Sequence, residues 1–132
     1  MSIASLNATL DSWGGALDRL EEALADPAED AKTRDSIILR FLLVFDLSWK
    51  TFQRAAAATG MEIRNPRHAF RHAFQQGWID DEQQWLDMIE DRNLVAHSYN
   101  ERRAEKIAAD VRVLAPAIRE AWRRVRLAVE TG

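Results

Sequence analysis

Apolar residues return at steps of three and four from the start of the chain. Ile3, Leu6, Leu10, Trp13, Leu17, Leu20 and Leu24 form one stripe on a helix that Asp26-Pro27 ends. Gly14-Gly15 sits inside this helix, and each glycine costs about 1 kcal/mol relative to alanine, so a local bend is expected there. A second run, from about residue 30 to residue 59, holds Ile37, Ile38, Phe41, Leu42, Val44, Phe45, Leu47, Trp49 and Phe52 and closes at Gly60. These positions cover more than one helical face. The second helix is therefore expected at the centre of a bundle or shared with another subunit.

Asn65-Pro66 has the form of an N-cap followed by proline in the first turn, and Gly77 that of a stop, which gives a short third helix over residues 66–76. Asp80 with Gln83 has the form of a capping box ahead of Trp85, Leu86, Met88, Ile89 and Val95, so a fourth helix should reach towards His97. A last helix starts near Asn100 or Glu101 and carries Ala104, Ile107, Ala108, Val111, Leu114, Ile118, Trp122, Val125 and Val129; Pro116 should kink it or break its ladder locally. No segment alternates in the manner of a strand. The expected fold is all-α: one domain over residues 1–132, an antiparallel up-and-down bundle of four main helices plus a short one.

Composition narrows the chemistry. The absence of cysteine excludes disulfides, thiolate nucleophiles and cysteine-based zinc sites, and fits an intracellular setting. No apolar run approaches the ~18–20 residues that a membrane span needs, and no signal pattern opens the chain, so a soluble cytoplasmic protein with no membrane partner is expected. The formal charge of -3 argues against a general nucleic-acid binder. It hides segregation, however. Residues 80–91 hold six acids and no base, whereas residues 92–126 hold nine bases against four acids, and Arg64, Arg67 and Arg71 lie in a stretch without acids. A basic face on an acidic molecule, or ordinary solvated helix faces, would both produce this pattern.

Few residues carry candidate chemistry. His68 and His72 are four apart, a spacing open to metal binding, but Arg71 between them would repel a cation, and solvent-facing or phosphate-facing roles fit better. Neither a metal nor a cofactor is expected, since no glycine-rich phosphate loop is present. Asp46 and Lys50 can pair along the second helix, with Arg40 and Arg54 extending the polar line, as structural support or beside an active site. The densest group is Arg92-Asn93-Leu94-Val95-Ala96-His97-Ser98-Tyr99. Arg92 offers a permanent cation for phosphate, His97 a proton exchanger near neutral pH, and Tyr99 a hydroxyl. On one helix, about 100° per residue turns Arg92 roughly 140° from His97, so two copies meeting across a two-fold axis would gather them better than one. Structural roles are also open: Arg92 could pair with Asp87 or Asp91, His97 could answer the helix dipole, and Tyr99 could cap the helix end.

The stretch Arg34-Asp35-Ser36-Ile37-Ile38, then Arg40-Phe41, Phe45, Trp49-Lys50, Asn65-Pro66-Arg67, Gly77-Trp78-Ile79, Trp85 and Asp91-Arg92-Asn93 through His97-Ser98-Tyr99 resembles the HEPN proteins known as nucleotidyltransferase substrate-binding proteins, over roughly residues 30–115. The resemblance implies a helical homodimer partnered by a minimal nucleotidyltransferase. In the toxin branch of that family, the helical protein is a metal-independent endoribonuclease, and the nucleotidyltransferase is its antitoxin. Carried over, His97 would be the base on a ribose 2′-hydroxyl, Arg92 would stabilise the phosphate, Asn93 would orient the site, and Tyr99 would accept AMP from the partner. RNA would be held by Arg64, Arg67, Arg71, Arg102 and Arg103. A non-catalytic subunit presenting a nucleotide or other substrate to the nucleotidyltransferase, and a helical adaptor, are the competing readings.

Overall fold

The computed structural model describes residues 3–97 and 100–131 of the 132-residue chain. Five helices follow one another: α1 (Ile3–Ala25), α2 (Ala31–Ala57), α3 (Pro66–Gln75), α4 (Glu82–His97) and α5 (Glu101–Thr131). No strand occurs among the described residues. The expected all-helical bundle is what the chain forms. α2 lies at its centre, against α1, α3 and α5, while α4 leans on α3 and α5.

Short polar side chains set the helix starts. The Asp30 carboxylate accepts from the Thr33 N–H at 2.8 Å, Asn65 from His68 at 2.9 Å, and Asn100 from Arg103 at 3.0 Å. At α4 the expectation is off by one residue. Asp81, not Asp80, accepts from the Gln84 N–H at 3.1 Å, because Asp80 is drawn aside by both terminal nitrogens of Arg124 at 2.7 and 3.0 Å. Gly60 and Gly77 have φ of 86° and 78° and close α2 and α3 in the same way. The next N–H, of Met61 or Trp78, returns to the carbonyl of Ala56 or Ala73 at 3.0 and 2.9 Å.

α1 stays helical through Gly14-Gly15. Gly14 has a packing reason: a Cβ there would meet the Trp122 ring at 2.9 Å, and the Trp122 indole N–H donates to the Leu10 carbonyl at 2.9 Å. α5 likewise continues across Pro116, an exposed position where the lost ladder bond faces solvent.

The core joins Trp13, Leu17 and Leu20 of α1, Ile37, Phe41, Val44 and Phe52 of α2, and Ile107, Val111, Ile118 and Val125 of α5. Each large side chain so buried stabilises by about 1.5–3 kcal/mol. Phe52 and Phe70 anchor an aromatic cluster that admits α4: Trp85 lies 5.6 Å from Phe52 and 5.1 Å from Phe70. Apolar residues do extend over a second face of α2, where Leu39 and Leu43 remain 69% and 54% exposed. No described helix is long and apolar enough to cross a membrane.

Candidate functional site

The buried stripe of α4 consists of Trp85, Met88 and Asp91 and goes no further. Beyond it Leu94 and Val95 are half-buried, while Arg92, Ala96 and His97 are exposed, so the last two turns of α4 run along the surface. They form one wall of a groove of about 580 Å³ whose other wall is Leu42, Phe45, Asp46 and Trp49 of α2, with Pro66 of α3 at its edge. Arg92 and Asn93 both line this groove. Lys50 pairs with Asp46 at 2.9 Å, which places that ion pair beside the α2 wall.

Arg92 makes no ion pair among the described residues. The alternatives open to it are taken: Asp87 accepts from Gln83 at 2.8 Å, and Asp91 turns to Lys106 at 3.2 Å. His97, the last residue of α4, is exposed and is not among the residues lining the groove. One chain thus brings Arg92, Asn93 and Asp46 together and leaves His97 apart, as a five-residue step on a helix requires. Tyr99 lies outside the described residues.

Two of the candidate phosphate-binding arginines already have acidic partners. Arg64 is paired with Glu62 at 3.3 Å and Arg71 with Glu82 at 3.7 Å; Arg67 and Arg102 are exposed, and Arg103 is half-buried in the first turn of α5. Arg40 belongs elsewhere, since it donates to the Arg19 carbonyl of α1 at 2.6 Å and does not line the groove. His72 corrects the expectation of a solvent- or phosphate-facing ring. It is buried edge-on to Trp78, with ring centroids 5.6 Å apart, and burial, then the neighbouring His68, hold its pKa below the usual value. Among the described residues no group of three or more His, Asp or Glu could hold a metal ion.

Sequence reasoning missed one cluster. Asp91 is buried, and Lys106 of α5 stands between it at 3.2 Å and Asp110 at 2.7 Å. Burial, with the Asp110 carboxylate beside it, pushes the Asp91 carboxyl up to about 6 against the opposing pull of Lys106. The available signal was the step Trp85, Met88, Asp91, which places a carboxylate on an apolar stripe.

The family described as nucleotidyltransferase substrate binding protein like matches residues 8–126. The chain belongs to this family. Its fold is similar to that of a protein from Thermus thermophilus, 29% identical with a TM-score of 0.80, over 86% of this chain and 98% of that one. It is also similar to a tri-AMPylated Shewanella oneidensis HEPN toxin solved in complex with its MNT antitoxin, 16% identical, TM-score 0.74, over 93% and 96% of the two chains. A Haemophilus influenzae protein with the fold of a substrate binding domain of a nucleotidyltransferase is 19% identical, with a TM-score of 0.64, over 95% and 99%. Among curated proteins none matches. The last two likenesses establish the fold, and within this chain the α2–α4 groove brings Arg92, Asn93 and Asp46 together.

Proposed function

We propose that this chain is the RNA-cleaving partner of a small nucleotidyltransferase, acting as a homodimer whose α4 helices supply Arg92, Asn93 and His97 to a shared cleft. One observation carries the reading: a guanidinium without a counter-ion among the described residues faces a groove, and an exposed imidazole ends the same helix. The two diverge within one chain, so a second copy has to complete the set. The exposed Leu39 and Leu43 on α2 provide apolar surface for such a copy.

In the proposed reaction, His97 takes the proton of a ribose 2′-hydroxyl as its oxygen attacks the adjacent phosphorus. The bond to the 5′ oxygen breaks, that oxygen takes a proton from solvent water as it leaves, and a 2′,3′-cyclic phosphate remains. Arg92 neutralises charge on the crowded phosphate, and Asn93 orients it. Arg64, Arg67, Arg71, Arg102 and Arg103 hold the RNA backbone, and Asp46 with Lys50 shapes the α2 wall. Tyr99 is the acceptor of AMP from the partner, which uses ATP and releases pyrophosphate; the added anion repels RNA from the cleft. The complex of the Shewanella HEPN toxin with MNT supports this division of labour.

The test is expression of the wild type and His97→Ala without a partner, followed by growth and RNA integrity. RNA loss with the wild type alone is expected, and equal harmlessness of the two defeats the proposal. A second reading is favoured by the largely apolar lining of the groove and the net acidity of the chain: a non-catalytic subunit that offers a nucleotide to the nucleotidyltransferase. Purified protein that binds nucleotide beside its partner and leaves RNA intact would establish it. Intact mass after incubation with partner and ATP reads Tyr99 directly.

A further inference from the structure

Asp91 and Arg92 are neighbours in sequence that face different neighbours of α4, Asp91 towards α5 and Arg92 into the groove with α2. The Asp91 carboxylate, 5% exposed, is the last buried group of the helix and lies 3.2 Å from the Lys106 ammonium of α5, which Asp110 holds at 2.7 Å one turn further on. About 100° round the helix, Arg92 enters the groove opposite Asp46 and Trp49 of α2. We infer that Asp91 is a positioning residue: through Lys106 and Asp110 it locks the rotation of the last turns of α4 against α5 and so aims Arg92 and Asn93 into the groove.

If packing were all that mattered, the position after Trp85 and Met88 would take a leucine, and an apolar contact tolerates a turn of several degrees about the helix axis. A buried carboxylate with one cation in a fixed place does not, because rotation leaves the charge desolvated and unpaired. The recess around the contact sharpens this. Asp87 and Glu90 of α4 and Asp110 of α5 also line it, and Lys106 is the one cation among the lining residues. Without that ammonium, Asp91 and Asp110 repel across the α4–α5 contact. Beyond Asp91 no residue of α4 is fully buried, and the apolar hold is limited to the half-buried Leu94 and Val95, which do not fix the rotation of the helix.

The activity arm of the test rests on the cleavage reading, and the structural arm does not. Backbone amide exchange of residues 92–97 is followed by NMR in the full-length wild type, Asp91→Leu, Lys106→Met and Lys106→Arg, with Phe41 and Phe52 amides reporting that the core is intact. Asp91→Leu is expected to keep the melting temperature, because an apolar side chain replaces a buried ion-pair partner at little cost. Its exchange over residues 92–97 should nevertheless rise about 10-fold or more, as in Lys106→Met, while Lys106→Arg stays near the wild type. In RNA cleavage, Asp91→Leu and Lys106→Met should lower kcat by about 10- to 100-fold with KM little changed, and Lys106→Arg should recover most of it. Unchanged exchange in both Asp91→Leu and Lys106→Met overturns the inference. So does an equal loss in Lys106→Arg and Lys106→Met. A wild type that cuts no RNA retires the cleavage reading, and the exchange rates still decide whether Asp91 aims the helix.

Discussion

The two halves of α4 are built on different terms. In the first, Trp85 and Met88 are buried, with the Trp85 ring centroids 5.6 and 5.1 Å from those of Phe52 and Phe70, and the helix is held by burial. In the second, which holds the candidate residues Arg92, Asn93 and His97, nothing is fully buried, and the hold on the bundle is the partial burial of Leu94 and Val95 together with the charged contact of Asp91 to α5. The difference teaches that one short helix can divide stability and reactivity along its length. A guanidinium free to meet a phosphate is one the core cannot enclose.

The strongest challenge to that division is to empty the sealed half. Trp85→Ala removes a side chain 1% exposed in an aromatic cluster and should cost about 3–5 kcal/mol, read from urea denaturation. A loss below about 1 kcal/mol would mean that the cluster does not hold α4.

The converse change belongs to the exposed half. His97→Ala should lower RNA cleavage by about 10²- to 10⁴-fold, the usual contribution of a positioned acid–base group. Its stability in urea should stay within about 0.5 kcal/mol of the wild type, as for other surface changes. A large drop in stability would show that the two halves are not separate after all.

At the junction, Asp91 gives the comparison a pH dependence. Its carboxyl has a value of about 6 in the fold against 3.8 in the unfolded chain, chiefly through burial. Between those values the folded protein holds a proton that the unfolded chain has released, so folding takes up a proton and acid favours the fold. This contribution is full below 3.8 and is lost as pH rises through about 6. The stability of the wild type minus that of Asp91→Asn should therefore fall with rising pH between about 4 and 6, at no more than about 1.4 kcal/mol per pH unit. A flat difference would indicate that the carboxyl is hydrated at the junction.

How much of this was legible in the sequence follows the range of the interactions. Helix starts and stops at Asp30, Gly60, Asn65-Pro66 and Gly77 depend on residues within one turn, and each lies where the pattern places it. The divergence of Arg92 from His97 follows from helix geometry alone. The Asp91–Lys106 contact joins two helices and is invisible to any rule about residues three or four apart. His72 was readable in principle: on a short helix it shares the face of Ala69 and Ala73, both buried. The metal-ligand spacing drew attention to the His68–His72 pair instead of to that face.

The smallest effect separates the two candidate caps at the start of α4. Asp81 accepts the Gln84 N–H, so Asp81→Ala should cost about 1 kcal/mol in urea denaturation. Asp80 meets Arg124 on the surface, where screening by salt weakens an ion pair, so Asp80→Ala should cost less, and its effect should shrink as salt is raised. The Asp81 contribution should persist in salt, because a cap satisfies a specific backbone donor that no dissolved ion replaces in the same geometry. The reverse ranking would put the capping role back on Asp80, start α4 one residue earlier, and alter how the sealed half of the helix meets the aromatic cluster.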